Sequence, residues 1–115
     1  MYRTASRARG ELAREAREAY VKLDLEDFPG RYVTADIDFD EDQVVLKVAN
    51  STVHELKDVM IEIETIVNGV PGRPRLREVA RIGARSFEVV ETGIFLREDD
   101  VVEVKTRIVR ARPTT

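Results

Sequence analysis

The chain has no cysteine, only two methionines and a single histidine among its 115 residues. Without cysteine there is no disulfide scaffold, no thiol nucleophile and no thiolate metal site. Long apolar runs are missing too. Nothing approaches the ~18 consecutive apolar residues of a membrane-spanning helix, and no apolar segment follows the N-terminal arginines as a secretory signal requires. The expectation is a soluble chain that meets a membrane only through a segment outside it. Its compartment is then extracytoplasmic if an anchor precedes Met1 and cytoplasmic otherwise. A net charge of -3 leaves no global basic field to recruit nucleic acid. Internal repeats and low-complexity tracts are absent as well.

What is present is a charged, globular composition. Hydrophobic residues make up 43%, enough for a core, and one domain is what this length supports. Charged residues reach 36%, above the ~25% of an average domain. Abundant Arg and Glu with few thermolabile residues is a composition heat-adapted proteins tend to have.

The segment from Thr4 to about Leu23 is rich in Ala, Arg and Glu, all strong helix formers. Leu12, Ala16, Ala19, Tyr20 and Leu23 recur at three- and four-residue spacing as one narrow apolar stripe, the mark of an amphipathic helix. Such a helix has too little apolar area to be stable alone and needs a surface to lie on. Phe28, Pro29 and Gly30 end it, which divides the chain into a helical extension, 1–28, and a β-domain, 29–112.

From Tyr32 the pattern changes to period two. Val33, Ala35, Ile37 and Phe39 alternate with Thr34, Asp36, Asp38 and Asp40, so the former are expected to face inward. Val44, Leu46 and Val48 share one face of a second strand, with Gln43, Val45 and Lys47 on the other. Val59, Ile61 and Ile63 do the same on a third, opposite Asp58, Glu62 and Glu64. Between these two strands Asn50, Ser51 and Thr52 favour a turn, read as a hairpin or a sheet-to-sheet corner with Leu56 plugging the core. Asn68-Gly69 is a hairpin signal, and Val70 to Pro74 reads as a loop. An Arg-rich edge strand is expected within Leu76 to Ile82. Next comes a strand over Arg85 to Glu91 with Phe87 and Val89 inward, ended by Thr92-Gly93 and followed by a short strand at Ile94 to Leu96. The last strand, Val101 to Arg110, has Val102, Val104 and Ile108 inward and Glu103, Lys105 and Arg107 outward. The fold expected is mainly β, an immunoglobulin-like β-sandwich of about seven strands with an N-terminal amphipathic α-helix.

The runs Leu46-Lys47-Val48-Ala49-Asn50-Ser51 and Leu56-Lys57-Asp58-Val59-Met60-Ile61-Glu62-Ile63, with Ile82-Gly83-Ala84-Arg85-Ser86-Phe87-Glu88-Val89, resemble FxLyD-type and CARDB-type immunoglobulin-like domains of bacteria and archaea. The resemblance covers about 36–90. A Tyr-Asp pair expected at the end of the central strand is Glu64-Thr65 here. It implies binding, adhesion or assembly, usually outside the cytoplasm, and no catalytic residues.

Individual sites point the same way. Asp36, Asp38, Asp40, Glu41 and Asp42 invite a calcium reading, but the sixth position of an EF-hand loop needs Gly and holds Glu41. A solvated strand end explains them better, so no metal is assigned. His54 has no nucleophile elbow or oxyanion-forming glycine near it and is read as an exposed loop residue. Asn50-Ser51-Thr52 fits a glycosylation acceptor, yet Asn50 has a structural role in closing the turn. The arginines at 3, 7, 9, 14 and 17 are balanced by Glu11, Glu15 and Glu18, without an aromatic stacking platform.

No catalytic residue and no cofactor is assigned. The interaction residues expected are Leu12, Ala16, Tyr20 and Leu23 of the helix, with the outward apolars Val45 and Met60 on what read as neighbouring strands. Val90, Val101 and Val109 are further outward apolars. The function expected is a non-enzymatic protein–protein interaction or assembly module, with a protein partner or self-association. The alternatives are an archaeal filament-associated domain and a nucleic-acid accessory protein using the arginine-rich helix.

Overall fold

A computed structural model of the chain describes residues 24–114. The helix expected over Thr4 to Leu23 lies outside the described residues. A helical turn at 24–27 leads into a 3-10 turn, Pro29–Arg31. Leu25 of the first turn belongs to the core. Asp24 is buried beside it, where its carboxylate accepts a hydrogen bond from Tyr32 (2.7 Å) and faces the Arg31 guanidinium at 3.2 Å.

Seven strands follow: β1 (Val33–Asp40), β2 (Gln43–Asn50), β3 (Leu56–Val67), β4 (Val70–Pro71), β5 (Arg75–Ile82), β6 (Phe87–Phe95) and β7 (Val102–Pro113). They form two antiparallel sheets. One has the order β1-β2-β6; in the other β3 is central, with β7 on one side and β4 and β5 pairing it as well. Val44, Leu46 and Val48 of the first sheet and Val59, Ile61 and Ile63 of the second meet in one core, with Leu56 and Ile82. These inward positions are the ones the alternation marks.

The Asn50 segment is a sheet-to-sheet corner, since β2 and β3 do not pair. Asn50 is buried and ties the corner together. Its Nδ2 lies 2.7 Å from the His54 carbonyl, 3.0 Å from that of Gly83 and 3.3 Å from that of Ile82, while its Oδ1 accepts from the Thr52 N–H (2.9 Å) and hydroxyl (2.7 Å). A buried amide so engaged is no glycan acceptor. The knot also folds His54 down: it is half-buried, and its Nε2 is shielded without a hydrogen bond, which corrects the exposed-loop expectation.

Three departures from strict alternation have local causes. Asp58 takes a left-handed φ of 51°; this breaks the period of two, so Leu56 and Val59, three apart, both reach the core. Asn68 and Gly69 (φ 52° and 77°) form the expected tight hairpin, but Val70 and Pro71 still pair with Val67 and Ile66, so the loop proper starts later. Thr92-Gly93 does not end a strand. It is a bulge inside β6, opposite the step from Val44 to Val45, with Gly93 at φ 74°. The buried Thr92 hydroxyl stabilises it by donating to the Val44 carbonyl and accepting from the Ile94 N–H (3.1 Å).

The register of β6 corrects its expected faces. Ala49 pairs with Phe87 and Lys47 with Val89, which puts Phe87 and Val89 on the outer face. Val90, expected outward, pairs with Leu46 and packs against the core. Ile37 and Phe39 pair with Leu46 and Val44 and so belong to the inner face, yet both are exposed. The two sheets do not cover that end of β1.

Candidate interaction surface

Of the interaction residues read from the sequence, Leu12, Ala16, Tyr20 and Leu23 lie outside the described residues. Val45 and Met60 do not form a joint patch, because β2 and β3 belong to different sheets. Val45 is on the middle strand of its sheet, between Asp38 and Glu91, and only 6% exposed. Met60 is half-buried at the centre of the other sheet, in register with Glu78 on one side and Arg110 on the other. Those two side chains form an ion pair at 3.6 Å from strands that flank it. Val101 and Val109 are exposed, as expected.

The sheet edges show where an apolar surface does occur. Two sheets have four edges, and unpaired edge strands are usually blunted by charge. On β1 the outward row is Asp36, Asp38 and Asp40. Arg75, Arg77 and Arg81 crowd β5, and Arg75 and Arg77 reach across to the bulge of β6, where Arg77 Nη2 donates to the Thr92 carbonyl at 2.7 Å and Arg75 Nη1 to that of Gly93 at 3.3 Å. On β7 the outward residues include Lys105, Arg107 and Arg112, which face Glu103, Glu62 and Asp58 at 3.6, 3.3 and 3.8 Å.

The fourth edge differs. Along β6, Phe87, Val89 and Phe95 project from the outer face at 51%, 60% and 64% exposure. Their cross-strand neighbours are Ala49, Lys47 and Gln43, with Val45 as part of the floor. Lys47 Nζ sits 4.3 Å from the Phe87 ring centroid, a cation–π contact that holds the lysine stem over the aromatic face.

Backbone groups add to this edge. The Asn50 N–H donates to the Ser86 carbonyl at 2.9 Å, which starts the ladder. In an antiparallel pair the bonding residues alternate, so Glu88 and Val90 turn their N–H and C=O towards β2, whereas Phe87, Val89 and Glu91 turn theirs away from it. One short stretch thus offers both free main-chain groups and apolar side chains.

No three of His, Asp and Glu converge so as to hold a metal among the described residues. A shallow hollow beside the Asn68-Gly69 hairpin is lined by Glu64, Thr65, Ile66 and Lys105 with Pro71 and Pro74. Comparisons with protein families, with characterised proteins and with solved structures found no match for this chain.

Sequence reasoning missed the β6 surface because apolar strand residues were taken as core. The odd positions Phe87 and Val89 and the even positions Val90 and Ile94 are equally apolar, so alternation alone does not choose between them. What chooses between them is the pairing with β2, which sets Phe87 and Val89 opposite Ala49 and Lys47 and Val90 opposite Leu46; the strand's own sequence does not hold that signal.

Proposed function

We propose that this chain is a non-enzymatic protein-binding module of immunoglobulin-like form, and that it engages its partner along β6. The observation that carries the reading is the row Phe87, Val89 and Phe95, broken only by Glu91, on the one sheet edge among the described residues without a row of charges. An extended peptide laid beside β6 would pair with the free N–H and C=O groups of Phe87, Val89 and Glu91, the mode known as β-augmentation. The aromatic side chains supply the contact area. Fully burying three such side chains is worth roughly 5–9 kcal/mol, from which association and ordering costs are subtracted.

The immunoglobulin-like part of the reading draws support from strand order. Strands β1, β2 and β6 face β7, β3 and β5 in that order, with β2 crossing to β3 between sheets. The Leu-x-x-Val spacing that resembles FxLyD and CARDB domains coincides with the Asp58 irregularity. Protein is favoured over nucleic acid as partner because Lys105, Arg107, Arg110 and Arg112 each face an acid, Arg81 faces Glu55, and Arg75 and Arg77 are held by the carbonyls of the β6 bulge, which among the described residues leaves phosphate no row of cations turned outward.

A photo-crosslinking amino acid at Val89, with one at the exposed Lys57 of the other sheet as control, tests the reading in the native host. One discrete protein adduct from position 89, absent from position 57 and lost in the Phe87→Ser/Phe95→Ser variant, is the expected result. Equal labelling from both positions, or none from 89, refutes the binding edge.

A further inference from the structure

The side of the molecule opposite β6 is built differently. There the free edges of β1 and β7 lie together, joined by the Thr106 hydroxyl at 3.3 Å from the Ala35 carbonyl. The β5–β6 side is bridged by Arg75 and Arg77. Among the described residues no hydrogen bond or ion pair closes the β1–β7 side above Thr106, and inner-face residues stay open to solvent: Ile37 and Phe39 on β1 are 40% and 55% exposed, and Val102 and Val104 on β7 are half-buried. Leaving inner-face apolar side chains in water is the arrangement a covering element relieves.

We propose that residues 12–23 of the same chain supply that cover, lying along the β1 edge with their apolar stripe on Ile37 and Phe39. This inference is independent of the β6 reading. Three observations select this occupant. The first is position. The described chain starts at Asp24, whose carboxylate accepts from the Tyr32 hydroxyl just before β1, and Glu26 lines one hollow with Arg110 and Ala111 near the end of β7. The described residues therefore begin at the foot of the open side.

The second is length. From Val33 to Phe39 the strand rises about 20 Å at ~3.4 Å per residue. From Leu23 back to Leu12 a helix spans about 16 Å at 1.5 Å per residue. A stripe of Leu12, Ala16, Ala19, Tyr20 and Leu23 would thus run from the foot of β1 almost to Phe39.

The third is charge. Residues 1–23 carry six cations and three anions, a net +3, so with -3 for the whole chain the rest carries -6. No cation lies within ion-pairing distance of Asp36, Asp38 or Asp40 among the described residues, whereas the cations of β7 have acid partners. Arg9, Arg14 and Arg17 of the segment would meet the acidic row of β1, an attraction that salt weakens.

The test uses the full chain, whose lack of cysteine permits a single nitroxide at Ala16→Cys. Paramagnetic broadening of backbone amides is read with the label oxidised and reduced. Selective broadening of residues 35–39, released by Ile37→Asp/Phe39→Asp in a chain that still melts cooperatively, supports the proposal. Broadening centred on 87–95 overturns it, because the segment then covers β6 instead. Broadening that appears when labelled chains without isotope are mixed with unlabelled isotopic chains also overturns it, since the occupant is then a second copy. Absence of broadening throughout the sheets overturns it as well.

Discussion

Replacing Asn50 with aspartate keeps the shape of the side chain and reverses its chemistry. The amide Nδ2 stands within 3.3 Å of the carbonyls of His54, Gly83 and Ile82. In Asn50→Asp a carboxylate oxygen faces these carbonyls instead. The Thr52 N–H and hydroxyl still bind the other oxygen, which offsets part of the penalty. A buried charge left without its partner costs about 3–5 kcal/mol, a large share of the 5–15 kcal/mol that a domain has in total. Protonation restores one donor, so the folded-state pKa of this aspartate is raised above its unfolded value of ~3.9. The sign follows: below the unfolded pKa both states are protonated and the penalty is smallest. As pH rises towards the folded pKa the native state holds the extra proton, and stability falls by up to ~1.4 kcal/mol per pH unit. Asn50→Ala also loses the bonds, but its penalty should not vary with pH relative to the parent. Urea unfolding of the three chains from pH 4 to pH 8, followed by circular dichroism, reads all of this. An aspartate variant within ~1 kcal/mol of the parent at pH 7 would refute the argument, as would a penalty that is flat with pH.

Two further outcomes follow from local geometry. Thr92→Val keeps the volume but removes the hydroxyl shared by the Val44 carbonyl and the Ile94 N–H, so it should cost ~1–3 kcal/mol in urea unfolding; a neutral result would mean water or a backbone shift replaces it. Asp100 accepts the Arg97 N–H at 2.7 Å and the Asn68 side chain at 3.0 Å, and the Arg97 bond first, then that of Asn68, holds its carboxyl below the usual range. Because the folded value is depressed, this clamp contributes above the unfolded pKa of ~3.9 and is lost as pH falls through the folded value. A carboxyl titration by NMR should find Asp100 below that value with the Asn68 amide shifting in step, and an ordinary titration would mean the two turns are not joined.

Most of the central fold was legible. Strands β2 and β3 lie mid-sheet, where one face is buried along its length, so Val44, Leu46, Val48, Val59, Ile61 and Ile63 had to alternate with polar residues. The Asn-Gly hairpin and the corner at Asn50 were legible for a similar reason, since few residue types satisfy those backbones. Edge strands were harder. On β1 the alternation correctly gives the inward side, but it carries no information about whether the opposing sheet reaches far enough to cover Ile37 and Phe39. Nor does local sequence reveal that consecutive strands β2 and β3 part into different sheets, which separates Val45 from Met60.

The error at β6 bears on function. A strand that is apolar on both faces is expected in the middle of a sandwich covered on both sides, whereas β6 has one face in the core and one in solvent. Folding needs only Val90, Thr92 and Ile94, which face inward. Phe87, Val89 and Phe95 contribute little to that core, and polar residues at those positions would satisfy the sheet equally well. Their presence on the edge with free main-chain groups works against solubility, so stability does not account for them, whereas the binding proposed above would. Replacing Phe87 and Phe95 with serine should therefore leave urea stability within about 1 kcal/mol of the parent, as for surface sites generally. A loss of several kcal/mol would show that these rings belong to the packed structure, and the case for a binding edge would fall with it.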